Sequence, residues 1–244
     1  MISIKNIEKK FGKLIALDNI SIFLNSGKSY ALIGPNGSGK TTLIKCLLGL
    51  VVPSKGEISI DSQSINKEWK YRDKIGYMPQ IGRYPDNMKI GQLFDMMKNI
   101  RADVNKTDDE LIEAFQLYKL FDKRMHSLSG GTRQKVSACL AFLFHPPILI
   151  LDEPTAGLDP LAAEILKEKT LHEKRMGKLL IITSHILSDL EELTNEMIYL
   201  KDGILHYNNS IDALKDQTKE TKLNKAVATL IKQKELLTSV TNTK

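Results

Sequence analysis

Residues 29–50 read SYALIGPNGSGKTTLIKCLLGL, and this stretch decides the fold. It opens as a buried strand, passes through three glycines, and continues with apolar residues at helical spacing. Gly34, Pro35, Asn36, Gly37, Ser38, Gly39, Lys40 and Thr41 fit the pattern G-x-x-x-x-G-K-[ST] between a strand and a helix. Glycines there let successive backbone N–H groups converge on phosphate oxygens at a helix N-terminus. Lys40 can then reach the β- and γ-phosphates of a nucleotide, and the Thr41 hydroxyl is placed for Mg²⁺. A bare glycine-rich turn explains neither the lysine nor the hydroxyl.

Outward from that loop, short β-branched runs alternate with helical patterns, which predicts an α/β fold around a largely parallel sheet. EISI (57–60), KIGYM (74–78), PILILDE (147–153) and KLLIITSH (178–185) are further strands. MIYLKDGILHY (197–207) reads as a hairpin around Asp202 and Gly203, a turn pair suited to positive φ. Between residues 86 and 144 the pattern becomes helical. IGQLFDMMKNI (90–100) and DDELIEAFQLYKLFD (108–122) space their apolar residues at three and four, so the block reads as a helical insert in an α/β core. Residues 220–237 form another amphipathic helix candidate.

Two strands end in chemistry. In ILILDEP (148–154), Asp152 and Glu153 follow four apolar residues, and ligands of open α/β sheets sit at such strand ends. Asp152 can hold Mg²⁺ as the second half of a phosphate-loop site. Neighbouring side chains on a strand diverge, so Glu153 is better placed to orient or deprotonate an attacking water. The apolar run before TSH ends at His185, a candidate γ-phosphate contact beside that glutamate. Gln80, after GYMP, has an amide that can touch metal or water; in isolation it is a polar loop residue. Phe11 precedes Gly12 in the first hairpin region. It can stack on an adenine ring, although core packing is the usual role of phenylalanine.

The 244 residues suffice for one substantial core, and 42% apolar with 26% charged content is ordinary for a globular protein. The formal charge of +6 is concentrated at the end: from residue 215 onward seven lysines face Asp216, Glu220 and Glu235. That tail reads as a solvated helical face rather than a nucleic-acid or lipid patch. Cys46 and Cys139 lie in helix-like segments without metal-ligand spacing, which fits a reduced cytosolic compartment. The start lacks the apolar core of a signal peptide. The most apolar region, 137–151, is cut by His145-Pro146-Pro147 and is too short to span a bilayer.

A second glycine turn, SLSGGTRQ (127–134), is another plausible anion cradle at a helix start; alone it reads as a capping turn. Taken in order, the phosphate loop (34–42), Gln80, LSGGT (128–132), ILILDE (148–153), AGLD (156–159) and His185 resemble the nucleotide-binding domain of ATP-binding cassette (ABC) transporters. The resemblance runs to about Leu214. It implies a P-loop NTPase (RecA-like) core with an antiparallel β subdomain and an inserted α-helical subdomain at about 82–144. The cassette would cover 1–215, with 216–244 a basic C-terminal helical extension.

In such a domain Phe11, Gly34, Pro35, Asn36, Gly37, Ser38, Gly39, Lys40, Thr41 and Thr42 would bind ATP. Ser129, Gly130 and Gly131 would reach the nucleotide of a second subunit. Thr41, Gln80 and Asp152 would hold Mg²⁺, while Glu153, His185 and Gln80 would serve hydrolysis. The implied activity is ATP hydrolysis by a homodimer closing around two Mg-ATP and driving an integral membrane permease from the cytoplasmic face, with no nucleic-acid partner. Thr132 departs from the commoner glutamine. With the segments around it, it resembles ATPases paired with an ABC-2-type permease in nitrous oxide reductase maturation, a copper-processing system. The alternative is a soluble ABC ATPase in a non-transport role. Those relatives carry long coiled-coil insertions, zinc modules or two cassettes, none of which is present here.

Overall fold

The computed structural model describes residues 1–66, 68–101 and 106–241. Its centre is a six-stranded sheet of β3 (Ser29–Ile33), β6 (Ile75–Met78), β7 (Ile148–Asp152), β8 (Leu179–Thr183), β9 (Glu196–Lys201) and β10 (Ile204–Ser210). The order is β10-β9-β3-β8-β7-β6, parallel except for the edge strand β10. The expected hairpin is present. Asp202 and Gly203 at its tip both have positive φ, 52° and 75°, as a tight turn between twisted strands requires.

Strands β3, β7 and β8 are buried at every residue, because both faces of the sheet are covered. Side chains alternate between two cores. Ala31, Ile33, Leu149, Leu151, Leu180 and Ile182 point into one, and Tyr30, Leu32, Ile148, Ile150, Leu179 and Ile181 into the other. The second core is closed by α1 (Lys40–Leu47) and by an antiparallel sheet. That sheet comprises β1 (Ile2–Phe11), β2 (Leu14–Leu24), β4 (Lys55–Ile60) and β5 (Gln63–Ser64), in the order β2-β1-β4-β5.

Opposite lie α2 (Ile90–Ile100), α3 (Glu110–Ala114), α4 (Gly130–Phe142), α5 (Pro160–Arg175) and α6 (Leu187–Leu193). As expected, the described part of the block between 86 and 144 holds no strand, only an isolated bridge between Lys89 and Arg124. The helical spacing read over 108–122 is realised in separate pieces rather than one continuous helix. Gln116 takes φ 54°, and a separate 3₁₀ turn, Leu117–Leu120, follows. The break lets Phe121 stack on Phe94 of α2 with ring centroids 5.5 Å apart.

The chain ends in α7 (Ile211–Thr218) and α8 (Leu223–Thr241). Residue 215, the boundary expected from sequence, falls within α7, and residues 242–244 of the expected extension lie outside the described residues. The basic side of α8 is solvated, with Lys225 and Lys232 exposed. Its other side is not: Leu223, Ala226, Val227 and Leu230 are buried in the same core as α6 and β9. Among the described residues no helix is long and apolar enough to cross a membrane.

Candidate nucleotide site

The carboxyl ends of β3, β7 and β8 lie side by side, with Asp152 opposite Thr183 in register. Open α/β sheets bind ligands at this edge. Beyond β3 the loop 34–39 turns into α1. Gly34 has φ 153°, and a Cβ there would collide with the Leu200 carbonyl oxygen. Gly39, the N-cap of α1, has φ 104°, and its Cβ would lie 2.6 Å from the Ala16 carbonyl oxygen. The motif's outer glycines are therefore demanded by the close approach of neighbouring backbone as well as by φ. The Lys40 ammonium folds over the loop and donates to the carbonyls of Gly34 (2.7 Å) and Pro35 (3.1 Å). Burial lowers its pKa, and the nearby charges of Glu153 and Asp152 partly offset that effect.

Asp152 is 6% exposed, and its Oδ1 accepts a 2.6 Å hydrogen bond from the Thr183 hydroxyl. Glu153 leaves the strand with φ 52°. Its backbone N–H donates to Thr183 Oγ1 at 2.9 Å. Its carboxylate meets His185 twice. Oε2 accepts from the His185 backbone N–H at 3.2 Å, and Oε1 lies 3.4 Å from His185 Nε2. The histidine is thus held against the carboxylate by its own main chain.

These residues border a cleft of about 310 Å³. Phe11, Asn36 to Thr42, Gln80, Asp152, Glu153 and His185 all line it, so side chains from both sheets and the loop after β6 converge on one space. Phe11 is 48% exposed at its mouth, with the Lys9 ammonium 4.9 Å from the ring centroid. Gly34 and Pro35 do not line this cleft; they border a neighbouring apolar cavity beside α8. Sequence reasoning missed Leu14, Ile15 and Ala16 of β2, which complete the wall, and Thr183. The only signal for Thr183 was a hydroxyl two residues before His185; β2 gave none.

Ser129, Gly130 and Gly131 do not line the cleft. Ser129 caps the N-terminus of α4, and both it and Gly130 are exposed. A Cβ on Gly131 would lie 2.8 Å from the Gly157 carbonyl oxygen, so the start of α4 is packed against the AGLD loop. Asp159 of that loop caps α5 through the Ala162 N–H (2.9 Å) and pairs with Lys135 of α4 (2.7 Å). The hydrogen bond from Lys135, then the Ala162 N–H cap and the lysine's charge, hold the Asp159 carboxyl below its ordinary value. The molecule therefore carries a phosphate loop in one place and a second exposed helix N-terminus in another.

The family model described as ABC transporter matches residues 17–156. The lantibiotic transport ATP-binding protein SrtF of Streptococcus pyogenes is 35% identical over 208 residues, spanning 83% of this chain and 88% of that protein. Among solved structures, an ATP-binding subunit of an ABC transporter superposes with a TM-score of 0.85 at 26% identity, covering 95% of this chain and 99% of that one. The dimeric post-hydrolysis state of the ATP-binding cassette MJ0796, bound to ADP and Pi, gives a TM-score of 0.75 at 26% identity, over 86% and 98% of the two chains. This chain belongs to the ABC transporter family. It is an ATPase subunit of that class, built on a P-loop NTPase fold.

Proposed function

We propose that two copies of this chain close head to tail around two Mg-ATP, each nucleotide held by one copy's cleft and the other copy's signature turn. The observation that carries this reading is the separation of the two anion cradles on one subunit: the phosphate loop lines the cleft, while Ser129, Gly130 and Gly131 lie outside it on an exposed helix N-terminus. Such a terminus, with unsatisfied N–H groups and a positive dipole end, favours the γ-phosphate of a neighbour. Because that phosphate bridges two subunits, ATP has a higher affinity for the closed state, and only such a difference can drive closure.

Within the cleft, Phe11 stacks on the adenine, the loop 34–42 cradles the phosphates and Lys40 exchanges its carbonyl partners for phosphate oxygens. Thr41, Gln80 and Asp152 offer only oxygen donors, the chemistry that suits Mg²⁺, which would neutralise charge on the phosphates. Glu153 aligns the attacking water and accepts its proton at a carboxylate oxygen, with His185 holding that carboxylate and reaching the γ-phosphate. The helical block 82–144 passes closure to a membrane permease docked in the groove that Tyr77, Arg83, Met96, Met97 and Phe144 help to line. The subunit then works at the cytoplasmic face of the membrane. Likeness to the lantibiotic transport ATP-binding protein supports a role in transport, and the segments around Thr132 favour export through an ABC-2-type permease of the copper-processing kind.

Glu153→Gln tests this reading. The variant should retain ATP, accumulate as a dimer in sedimentation runs, and turn over at least 100-fold more slowly, in keeping with the loss of a positioned base. Hydrolysis at the parent rate would remove Glu153 from the mechanism.

A further inference from the structure

Thr132, the signature residue where glutamine is commoner, turns its side chain onto Ser129. Its backbone N–H donates to Ser129 Oγ at 3.2 Å, and its own Oγ1 lies 2.9 Å from the same atom. A serine hydroxyl has one proton to give and two lone pairs to share. Thr132 alone can therefore occupy both lone pairs, one through its N–H and one through its O–H. We propose that Thr132 is a positioning residue for Ser129: it takes both acceptor sites of the serine oxygen, so that the serine proton is directed outward as a donor to the phosphate oxygen of the other subunit's ATP.

This deepens, and rests on, the shared-nucleotide reading above. The opposite hydrogen-bond direction, serine donating to threonine, would present a lone pair to the phosphate and repel it. An arriving anion therefore selects the direction in which Thr132 donates. A hydroxyl that accepts while it donates is also the stronger donor. Threonine suits the task because its hydroxyl lies within hydrogen-bond distance of Ser129 Oγ while its backbone N–H reaches the same atom. The surroundings do not drift, since Gly131 is packed against Gly157 and Lys135 is paired with Asp159. Ser129 is exposed and Thr132 half-buried, so the pair presents the serine, not the threonine, to a neighbour.

The test is a cycle of variants of the full chain in a Glu153→Gln background, read as the ATP concentration that half-saturates dimer formation by sedimentation. Steady-state turnover is read in parallel with Glu153 intact. Thr132→Val keeps the branched shape and loses the hydroxyl; it should raise the half-saturating ATP concentration about 3- to 10-fold, the worth of one hydrogen bond. Binding of ATP to the separate subunit should not change. Thr132→Ser should restore the parent value. Once Ser129→Ala is present, Thr132→Val should add nothing further, because its effect runs through the serine. Equal losses with and without Ser129, or no loss from Thr132→Val where Ser129→Ala does lose, would overturn the proposal while leaving the shared nucleotide intact. Parent-like dimerisation of Ser129→Ala would overturn both.

Discussion

At the end of β8 the Thr183 hydroxyl donates to Asp152 Oδ1 at 2.6 Å and accepts from the Glu153 N–H at 2.9 Å. One buried side chain thus sets the direction of a metal-binding candidate and of the backbone that aims the proposed base. Thr183→Val preserves the shape, removes the hydroxyl that donates to buried Asp152 Oδ1, and leaves the Glu153 N–H only its 3.2 Å bond to the carbonyl of residue 183. We expect a stability loss of about 1–3 kcal/mol in urea titrations, together with a fall in turnover larger than any change in ATP affinity. An unchanged turnover would make the threonine purely structural. The loop glycines, Lys40, Asp152 and Glu153 were legible because each belongs to a local pattern in which a strand ends and chemistry begins. Thr183 was not, because a threonine in an apolar strand reads as a β-former whatever it touches.

Among elements, the decisive contacts join residues far apart in sequence. Tyr84, four residues beyond Gln80, shares a 2.7 Å hydrogen bond with Ser137 inside α4, where a side chain on Gly82 would collide with the same serine. Farther from the cleft, Lys169 of α5 is 5% exposed and binds Asp108 (2.6 Å), Glu110 at the start of α3 (2.6 Å) and Glu173 (3.0 Å). Lys178 also pairs with Glu173, and His145 Nδ1 lies 3.6 Å from Asp108. Burial alone would lower the Lys169 pKa and raise that of Glu173, but the hydrogen bonds among them outweigh it and move both the other way. Glu173 therefore contributes stability above its ordinary value of 4.5, lost as pH falls through its lower folded value. Lys169 contributes below its ordinary value of 10.5, lost as pH rises through its higher folded value.

Lys169→Met leaves Asp108 and Glu173 buried without their common partner. It should cost about 3–5 kcal/mol at neutral pH by denaturant titration. The deficit should shrink on acidification, because the share due to Glu173 losing the lysine's hydrogen bond and charge disappears as that carboxyl takes up a proton; a deficit that does not vary with pH would mean that lost packing, not charge, was responsible. The helical insert was legible in outline from its periodicity. Its break at Gln116 was not, since glutamine carries no turn signal and the reason for the break, Phe121 reaching Phe94, spans 27 positions.

At the scale of the whole molecule, the alternation of inward residues along β3, β7 and β8 builds two cores from one sheet, and the cleft opens where those strands end. Composition and pattern sufficed for that layering. At the basic end of the chain the spacing over 220–237 marked an amphipathic helix, but the excess of lysines read as a solvated face, so the burial of its apolar side in the main core was not anticipated. Lys215 of α7 pairs with Glu191 of α6 at 2.6 Å, and the same carboxylate accepts from the Leu223 N–H at 3.2 Å. A chain shortened to residue 218 would lose Leu223, Ala226, Val227 and Leu230 from the core, on the order of 5 kcal/mol of apolar burial. It should melt at lower temperature and aggregate in calorimetric scans; an unaltered melting curve would mark α8 as dispensable.

Because α6 begins two residues after His185 and takes its footing from α7 and α8, a purification handle or fluorescent fusion hung on the far end is attached to a strut beside the cleft. Anyone labelling this subunit is better served by the exposed lysines on the outer side of α8, away from that footing.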